Sequence, residues 1–92
     1  MKFLDKYKLY KNIMKQKPVD LSFGKHFHKI ALPYKSTEYV HYKTNDYNIY
    51  TGCWIDLPVS YRAIITNKDG IFVEFNHLFA KILFNHGKKY SK

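Results

Sequence analysis

The sequence predicts a small α+β domain that consists of a helix, about five short antiparallel strands and a second helix. Two observations predict this class. The spacing of apolar residues changes from helical to alternating near residue 26 and returns to helical near residue 76. A 92-residue chain with 46% hydrophobic residues is long and apolar enough for one core. We therefore expect one domain over residues 1–92, with either an open sheet or a small, partly closed barrel.

Residues 1–17 predict a basic amphipathic helix that ends before Pro18, because proline disfavours helix in the residue ahead of it. The predicted apolar stripe contains Phe3, Tyr7, Tyr10 and Met14, with Leu4 beside them. One flank carries Lys8, Lys11 and Lys15. Such a helix also fits a membrane surface, but in a domain this small we expect the stripe to be buried in the core.

Alternating runs predict an antiparallel sheet over residues 26–76. Gly52, inside the third run, indicates a bulge or a close approach of another backbone. The clearest element is a hairpin around residues 67–70, where Asn-Lys-Asp-Gly separates two β-rich runs. Gly70 can adopt the left-handed conformation that such a loop needs.

A second helix is predicted over residues 76–87, with Asn76 as the N-cap and Gly87 as the residue after the C-cap. Its expected apolar stripe contains Leu78, Phe79, Ile82 and Leu83. Residues 88–92 form a short basic tail.

The formal net charge is +9, and Arg62 is the only arginine among sixteen basic residues. About half of the chain consists of residue types with AT-rich codons, which is typical of an AT-rich phage, virus, plasmid or bacterium. Codon bias explains lysine in place of arginine, but it does not explain the excess of bases over acids. A polyanionic partner is the usual physical reason for such an excess.

The candidate binding residues combine lysines with aromatic side chains on adjoining strands. They are Lys25, Lys29, Lys35, Lys43, Tyr50, Trp54 and Arg62. Lysines can follow phosphates while exposed rings stack on bases. Two alternatives remain open: Trp54 packs beneath the first helix, and the lysines form an ordinary solvated face. With one arginine, we expect little sequence specificity.

The sequence predicts no metal, cofactor or catalytic residue. His26, His28, His41 and Cys53 could in principle approach one another, but the paired spacings of zinc sites are missing. The single cysteine excludes an internal disulfide and favours the cytoplasm. We also expect neither a leader peptide nor a membrane span.

A short resemblance runs from Gly52-Cys53-Trp54 through Tyr61-Arg62 and the Gly70 hairpin to His77. This part resembles the C-terminal sheet of RelE/HigB-type mRNA interferase toxins. The resemblance implies metal-independent cleavage of messenger RNA, with Arg62 on phosphate and His77 or Tyr61 assisting proton transfer. Those toxins place a helical hairpin before this sheet, whereas the present sequence predicts strands there.

Three functions follow from the sequence. We favour a non-enzymatic module that binds RNA or DNA with little sequence specificity. The second is a protein-binding effector, such as a phage-encoded inhibitor of a host or defence enzyme, that docks on an acidic protein or a nucleoprotein. The third is the interferase. The oligomeric state stays open.

Overall fold

A computed structural model describes residues 2–29, 35–53 and 61–90, with side chains described in 2–22, 38–52 and 62–90. The elements in chain order are α1 (Phe3–Ile13), β1 (Asp20–Lys29), β2 (Lys35–Lys43), β3 (Tyr47–Cys53), β4 (Tyr61–Asn67), β5 (Phe72–Asn76) and α2 (Ala80–Lys88). The predicted α+β class and element order are confirmed. Of the two predicted arrangements, an open sheet and a partly closed barrel, the structure shows the open sheet.

The five strands form an antiparallel meander in the order β1-β2-β3-β4-β5. In the centre of the sheet Tyr42 pairs with Ile49, and Ile49 pairs with Ile65. Both helices cover the face that carries these three side chains. Neither helix has the length and apolar composition that crossing a membrane would require.

The core lies between this face and the two helices. Its buried members are Ile13, Val40, Tyr42, Ile49, Ala63, Ile65, Ala80, Leu83 and Phe84. Full burial of each large aliphatic or aromatic side chain stabilises the fold by about 1.5–3 kcal/mol. The core therefore joins the first helix, the central three strands and the last helix into one unit.

The two helices run in the same direction. Near the start of α2, the ring of Phe79 stacks on Tyr10 with centroids 4.4 Å apart. Near its end, His86 Nε2 lies 3.3 Å from the carbonyl oxygen of Gln16. The contacts thus advance in the same chain direction on both sides, from Tyr10 to Gln16, which lies three residues after α1, and from Phe79 to His86.

The predicted apolar face of α1 is only partly correct. Ile13, which the predicted stripe omitted, is 1% exposed, and Leu9 and Tyr10 pack against the core beside it. Phe3 is 63% exposed, and Tyr7 is 40% exposed beside the rings of Tyr10 and Phe79. The helix is rotated about its axis relative to the predicted orientation, because the aliphatic pair Leu9 and Ile13 packs against the sheet. The helix also ends at Ile13, five residues before Pro18.

The sheet begins at Asp20, six residues before the predicted boundary. Asp20 pairs with His41 and Leu21 with Val40, so this short segment extends the ladder of β2. Residues 20–23 do alternate polar and apolar, but four residues alone are a weak strand signal.

Two glycine predictions are confirmed. Gly70 has φ 85°, and the Asn67 side-chain oxygen accepts hydrogen bonds from the backbone N–H groups of Asp69 and Ile71, each 2.9 Å long. At Gly52, a Cβ atom would lie 2.5 Å from the Glu38 carbonyl oxygen. This is the close backbone approach that the sequence indicated.

The predicted limits of the second helix are wrong. Asn76 ends β5, and its side-chain oxygen accepts a hydrogen bond from Leu78 N (2.8 Å) in the turn that leads to Ala80. Gly87 lies inside the helix, where it is buried against Val40 and Tyr42. Position 87 requires glycine because a side chain there would collide with Val40 and Tyr42, and not because the backbone is left-handed.

The predicted apolar stripe of α2 is also displaced. Leu78 and Ile82 are about half exposed, at 54% and 48%. The buried residues of α2 are Ala80, Leu83, Phe84 and Gly87. Small residues let the helix approach the sheet closely, so the inward face is defined by size as much as by hydrophobicity.

We expect Gly87→Ala to destabilise the fold. The new methyl group would lie 2.2 Å from Val40 Cγ1 and 2.8 Å from Tyr42 Oη. Overpacking of this kind costs about 1–3 kcal/mol, which exceeds the roughly 1 kcal/mol that alanine gains over glycine in a helix. Urea unfolding would measure the loss. The control is Asn85→Ala at an exposed position of α2. Equal midpoints for the two variants would contradict the packing argument.

Candidate nucleic-acid interface

The face of the sheet opposite the helices is called here the helix-free face. Its described members on β2, β3 and β4 are Tyr39, His41, Lys43, Asn48, Tyr50, Gly52, Arg62, Ile64 and Thr66. They alternate along each strand with the core residues, as the two-residue period of a strand requires.

Three predicted site residues lie on the helix-free face. Lys43 is exposed, whereas Tyr50 and Arg62 are half-buried. Backbone pairing aligns Lys43 with Asn48 and Arg62 with Gly52, so the two cations lie toward opposite ends of the strands. Lys43 and Arg62 thus share the helix-free face with Tyr50, but they do not lie close to each other.

The other four predicted residues fall wholly or partly outside the described part. Lys29 pairs with Lys35 through the backbone at the end of the β1–β2 ladder, and Lys25 lies in β1. The side chains of all three lysines are outside the described residues, and so is Trp54. Both alternatives for Trp54 therefore remain predictions.

A polar and aromatic network occupies the helix-free face. The hydroxyl of Tyr39 donates to Asp20 Oδ2 over 2.6 Å, and Nε2 of His41 donates to Asn48 Oδ1 over 2.9 Å. The ring of Tyr50 stacks on His41 at 4.2 Å. One side of the Tyr50 ring is thus covered by His41, and Ile64, its pairing partner on β4 on the same face, is 1% exposed.

Burial shifts the titration of these groups. Desolvation, reinforced by the hydrogen bond to Asp20, raises the pKa of Tyr39 to about 12. Desolvation also raises the pKa of Tyr50 and lowers the pKa of His41. The described helix-free face therefore carries Lys43 and Arg62 against Asp20 at neutral pH, with His41 uncharged. Most of the surplus positive charge carried by the described side chains lies elsewhere.

Much of that surplus lies on α1. Lys8, Lys11 and Lys15 are all exposed, and their spacing of three and four places them on one side of the helical path. Backbone hydrogen bonds from Met14 and Lys15 to the preceding turn continue this path past Ile13. We call these three residues the lysine ridge.

The lysine ridge lies opposite the buried side of α1. On that buried side, Lys6 forms a 2.9 Å ion pair with Glu74 of β5. Burial alone would raise the pKa of Glu74, but its contacts with positive charge, Lys6 among them, hold that pKa below the usual value. This pair neutralises one lysine of α1 and leaves the ridge pointing away from the acid.

A polar cleft of about 570 Å³ separates α1 from the turn between β2 and β3. It is lined by Asn12, Gln16, Val19, Lys43, Thr44 and Asn45. A second cleft of about 250 Å³ shares Asn12, Thr44 and Asn45 and extends to Lys8 and Asp46. We call the two together the amide groove. It connects the lysine ridge with Lys43 on the sheet.

The turn that forms one wall of the amide groove is well ordered by hydrogen bonds. Thr44 N donates to the Tyr47 carbonyl over 2.9 Å, and Tyr47 N donates to Thr44 Oγ1 over 3.1 Å. Asn45 and Asp46 are held exposed at its tip. Carboxamides can donate to and accept from bases, sugars and phosphates, so the groove offers polar contacts of both kinds.

Sequence reasoning found the three lysines of the ridge but missed the amide groove. Asn12 and Gln16 are one helical turn apart, which is a detectable signal. Their approach to Asn45 depends on how α1 crosses the sheet, and no local pattern encodes that.

In the part of the chain with described side chains, no three His, Cys, Asp or Glu residues form a group that could hold a metal. His26, His28 and Cys53 lie outside that part. Arg62 is on β4, and His77 is exposed directly after β5. Comparison with family models, with curated proteins and with solved structures gives no match. The interferase resemblance stays a prediction.

We expect the pH dependence of stability to contain a contribution from His41. Its lowered pKa means that the unfolded chain gains a proton first as the pH falls through about 6.5. The free energy of unfolding should therefore decrease below that pH and level off below the folded pKa. Urea unfolding between pH 7.5 and 5 would measure this, and His41→Gln should reduce the decrease.

The control for this experiment is His77→Gln, because His77 is exposed and lies outside the network. It should leave the decrease in place. An NMR titration that places the His41 pKa at or above its ordinary value would contradict the prediction.

Proposed function

We propose that this protein binds RNA or DNA with little sequence specificity, through the lysine ridge and the amide groove. The observation that supports this most is the alignment of Lys8, Lys11 and Lys15 on the exposed side of α1. The groove beside them is lined by amides and Lys43, and also by Asp5 and Asp46. Lysine ammonium groups neutralise phosphates, while the amides contact sugars, phosphates or base edges.

The composition supports a weak sequence preference. Bidentate recognition of bases relies largely on arginine, and Arg62 is the only one in the chain. Lysine binds phosphate as a point charge without fixing its orientation. In this proposal most of the binding free energy is electrostatic and decreases steeply with salt.

The predicted residues of the sheet extend the proposed interface. Lys43 borders the amide groove and also belongs to the helix-free face, so a nucleic-acid strand can pass around this end of the sheet. Beyond Lys43, the exposed part of the half-buried Tyr50 ring is the proposed stacking surface. Arg62 and the lysines of β1 and β2 complete the proposed path.

We expect the triple substitution of Lys8, Lys11 and Lys15 by glutamine to weaken binding to every nucleic acid about equally. Loss of three phosphate contacts should reduce the slope of log affinity against log salt by about 2 for a single strand. Fluorescence anisotropy with labelled single-stranded and duplex RNA and DNA, from about 50 to 500 mM salt, would measure it.

The matched control replaces Lys68, Lys88 and Lys89, which are exposed away from the ridge, and removes the same charge. It should retain most of the wild-type slope. Equal losses in both triple variants would show that net charge alone matters and would overturn the site. Absence of binding by the wild-type protein at the lowest salt would overturn the function.

Single substitutions can test whether the interface continues from the amide groove onto the sheet. We expect Lys43→Gln to reduce the salt slope by about 0.7. We expect Tyr50→Leu to weaken single-strand binding about fivefold or more, since one base stack contributes roughly 1–3 kcal/mol. An unchanged affinity of Tyr50→Leu would confine the interface to α1 and the amide groove.

A further inference from the structure

The strand β5 forms one edge of the sheet. It pairs with β4 on one side, and no strand of the described part lies on its other side. Such an edge is a template on which a further strand can pair, and natural proteins commonly protect it with lysine, proline or a bulge. β5 contains neither lysine nor proline. A bulge opposite Ile65 and Thr66, with Val73 as the extra residue, protects only the start of the strand.

Exposed apolar side chains accompany this edge at both of its ends. At the start, Ile71 is 64% exposed, Phe72 39% and Val73 38%. Just beyond the end, Leu78 is 54% exposed. Single exposed apolar residues are normal on a protein surface, but several that follow one another along an uncovered edge mark an interaction surface.

The β5 edge also lacks the positive charge that most of the chain carries. No lysine or arginine occurs in residues 69–80, although the net charge of the chain is +9. Glu74, the acid within the strand, forms a 2.9 Å ion pair with Lys6. Two copies of this basic protein can therefore approach each other at β5 with little electrostatic repulsion. The opposite edge, β1, contains Lys25 and Lys29 and suits such an approach less well.

We propose that β5 pairs antiparallel with β5 of a second copy, which joins two five-stranded sheets into one continuous sheet. If the pair is centred within Phe72–Asn76, residues 71–73 of each copy lie opposite residues 76–78 of the other. The apolar start of each strand then meets the exposed Leu78 of the other copy. A second copy suits this edge because it brings the same uncovered strand, the same apolar ends and the same absence of lysine.

The proposed assembly is a closed dimer. Each copy contributes the same edge, so the contact is isologous and ends with two chains. The twofold axis of an antiparallel pair is perpendicular to the sheet, and both copies therefore keep their helices on the same side. Both lysine ridges would then serve a single long nucleic acid. This consequence rests on the proposed function, whereas the dimer itself does not.

Sedimentation equilibrium of the full chain would test the dimer. The protein would be treated with nuclease and measured at high salt, so that nucleic acid cannot bridge two copies. We expect the mass to rise from one chain to two as the concentration increases. Val73→Lys should weaken dimerisation about tenfold or more, because the symmetry places two new ammonium groups in an apolar contact.

The matched control is Ile82→Lys, which adds the same charge at a position that is 48% exposed. It lies on α2, which packs on β2, β3 and β4. This variant should dimerise like the wild type. Because both positions are exposed, circular dichroism should show that both variants are folded. Val73→Lys should still bind a short oligonucleotide, so a failure of the dimer is distinguishable from a failure of the proposed function.

Amide hydrogen exchange would locate the contact. We expect residues 72–78 of the wild type to become more protected as the concentration rises, because new interstrand hydrogen bonds form there. In Val73→Lys the same residues should show no such increase over the same range of concentrations.

Four results would overturn the proposal. The mass could remain that of one chain at every concentration, which would leave the edge to an extended segment of another protein. Val73→Lys and Ile82→Lys could weaken the dimer equally, or a dimer could form without added protection of residues 72–78. Assembly could also continue beyond two chains, which would indicate an open contact of β5 with another surface.

Discussion

The close packing of α2 on β2 is the contact on which the rest of the structure depends. Gly87 lies directly over Val40, and the Tyr42 hydroxyl beside it donates a 2.6 Å hydrogen bond to the Leu83 carbonyl. Desolvation raises the pKa of Tyr42, so this hydroxyl stays protonated and keeps its role as donor. The bond satisfies a buried polar group and fixes the last helix on the sheet.

Because α2 is fixed in this way, its direction also determines the position of α1. Phe79 stacks on Tyr10 of α1, and His86 contacts Gln16 just beyond the end of α1, so the helices lie parallel. Both turn their smaller or aliphatic faces to the sheet. The aromatic residue Tyr7 is then left on the outer surface. The same rotation turns the lysine ridge outward and Asn12 toward the turn after β2. The lysine ridge and the amide groove therefore follow from a single packing arrangement.

The sequence predicted the elements of this fold better than the faces of its helices. Alternating runs and Gly70 locate the strands, because a two-residue period and a left-handed glycine are local properties. In α1, apolar residues cover more than half of the circumference, so periodicity alone could not separate Ile13 from Phe3. A glycine near the end of a helical run predicts the end of that helix. The glycine at position 87 instead lies inside α2, where the contact with Val40 leaves no room for a side chain. The amide groove escaped prediction for the same reason, since Asn12 and Asn45 meet only in the folded chain.

The lysine ridge is also unfavourable for the helix that carries it. Like charges at spacings of three and four destabilise a helix by about 0.2–0.5 kcal/mol per pair, and an isolated helix of this length is marginal in water. Burial of Ile13 and the ion pair of Lys6 with Glu74 offset this cost without requiring the outward lysines. Residues that destabilise their own helix and make no compensating contact in the fold are expected mainly at functional surfaces. The proposed anionic ligand would give this ridge a role that the stability of the fold does not explain.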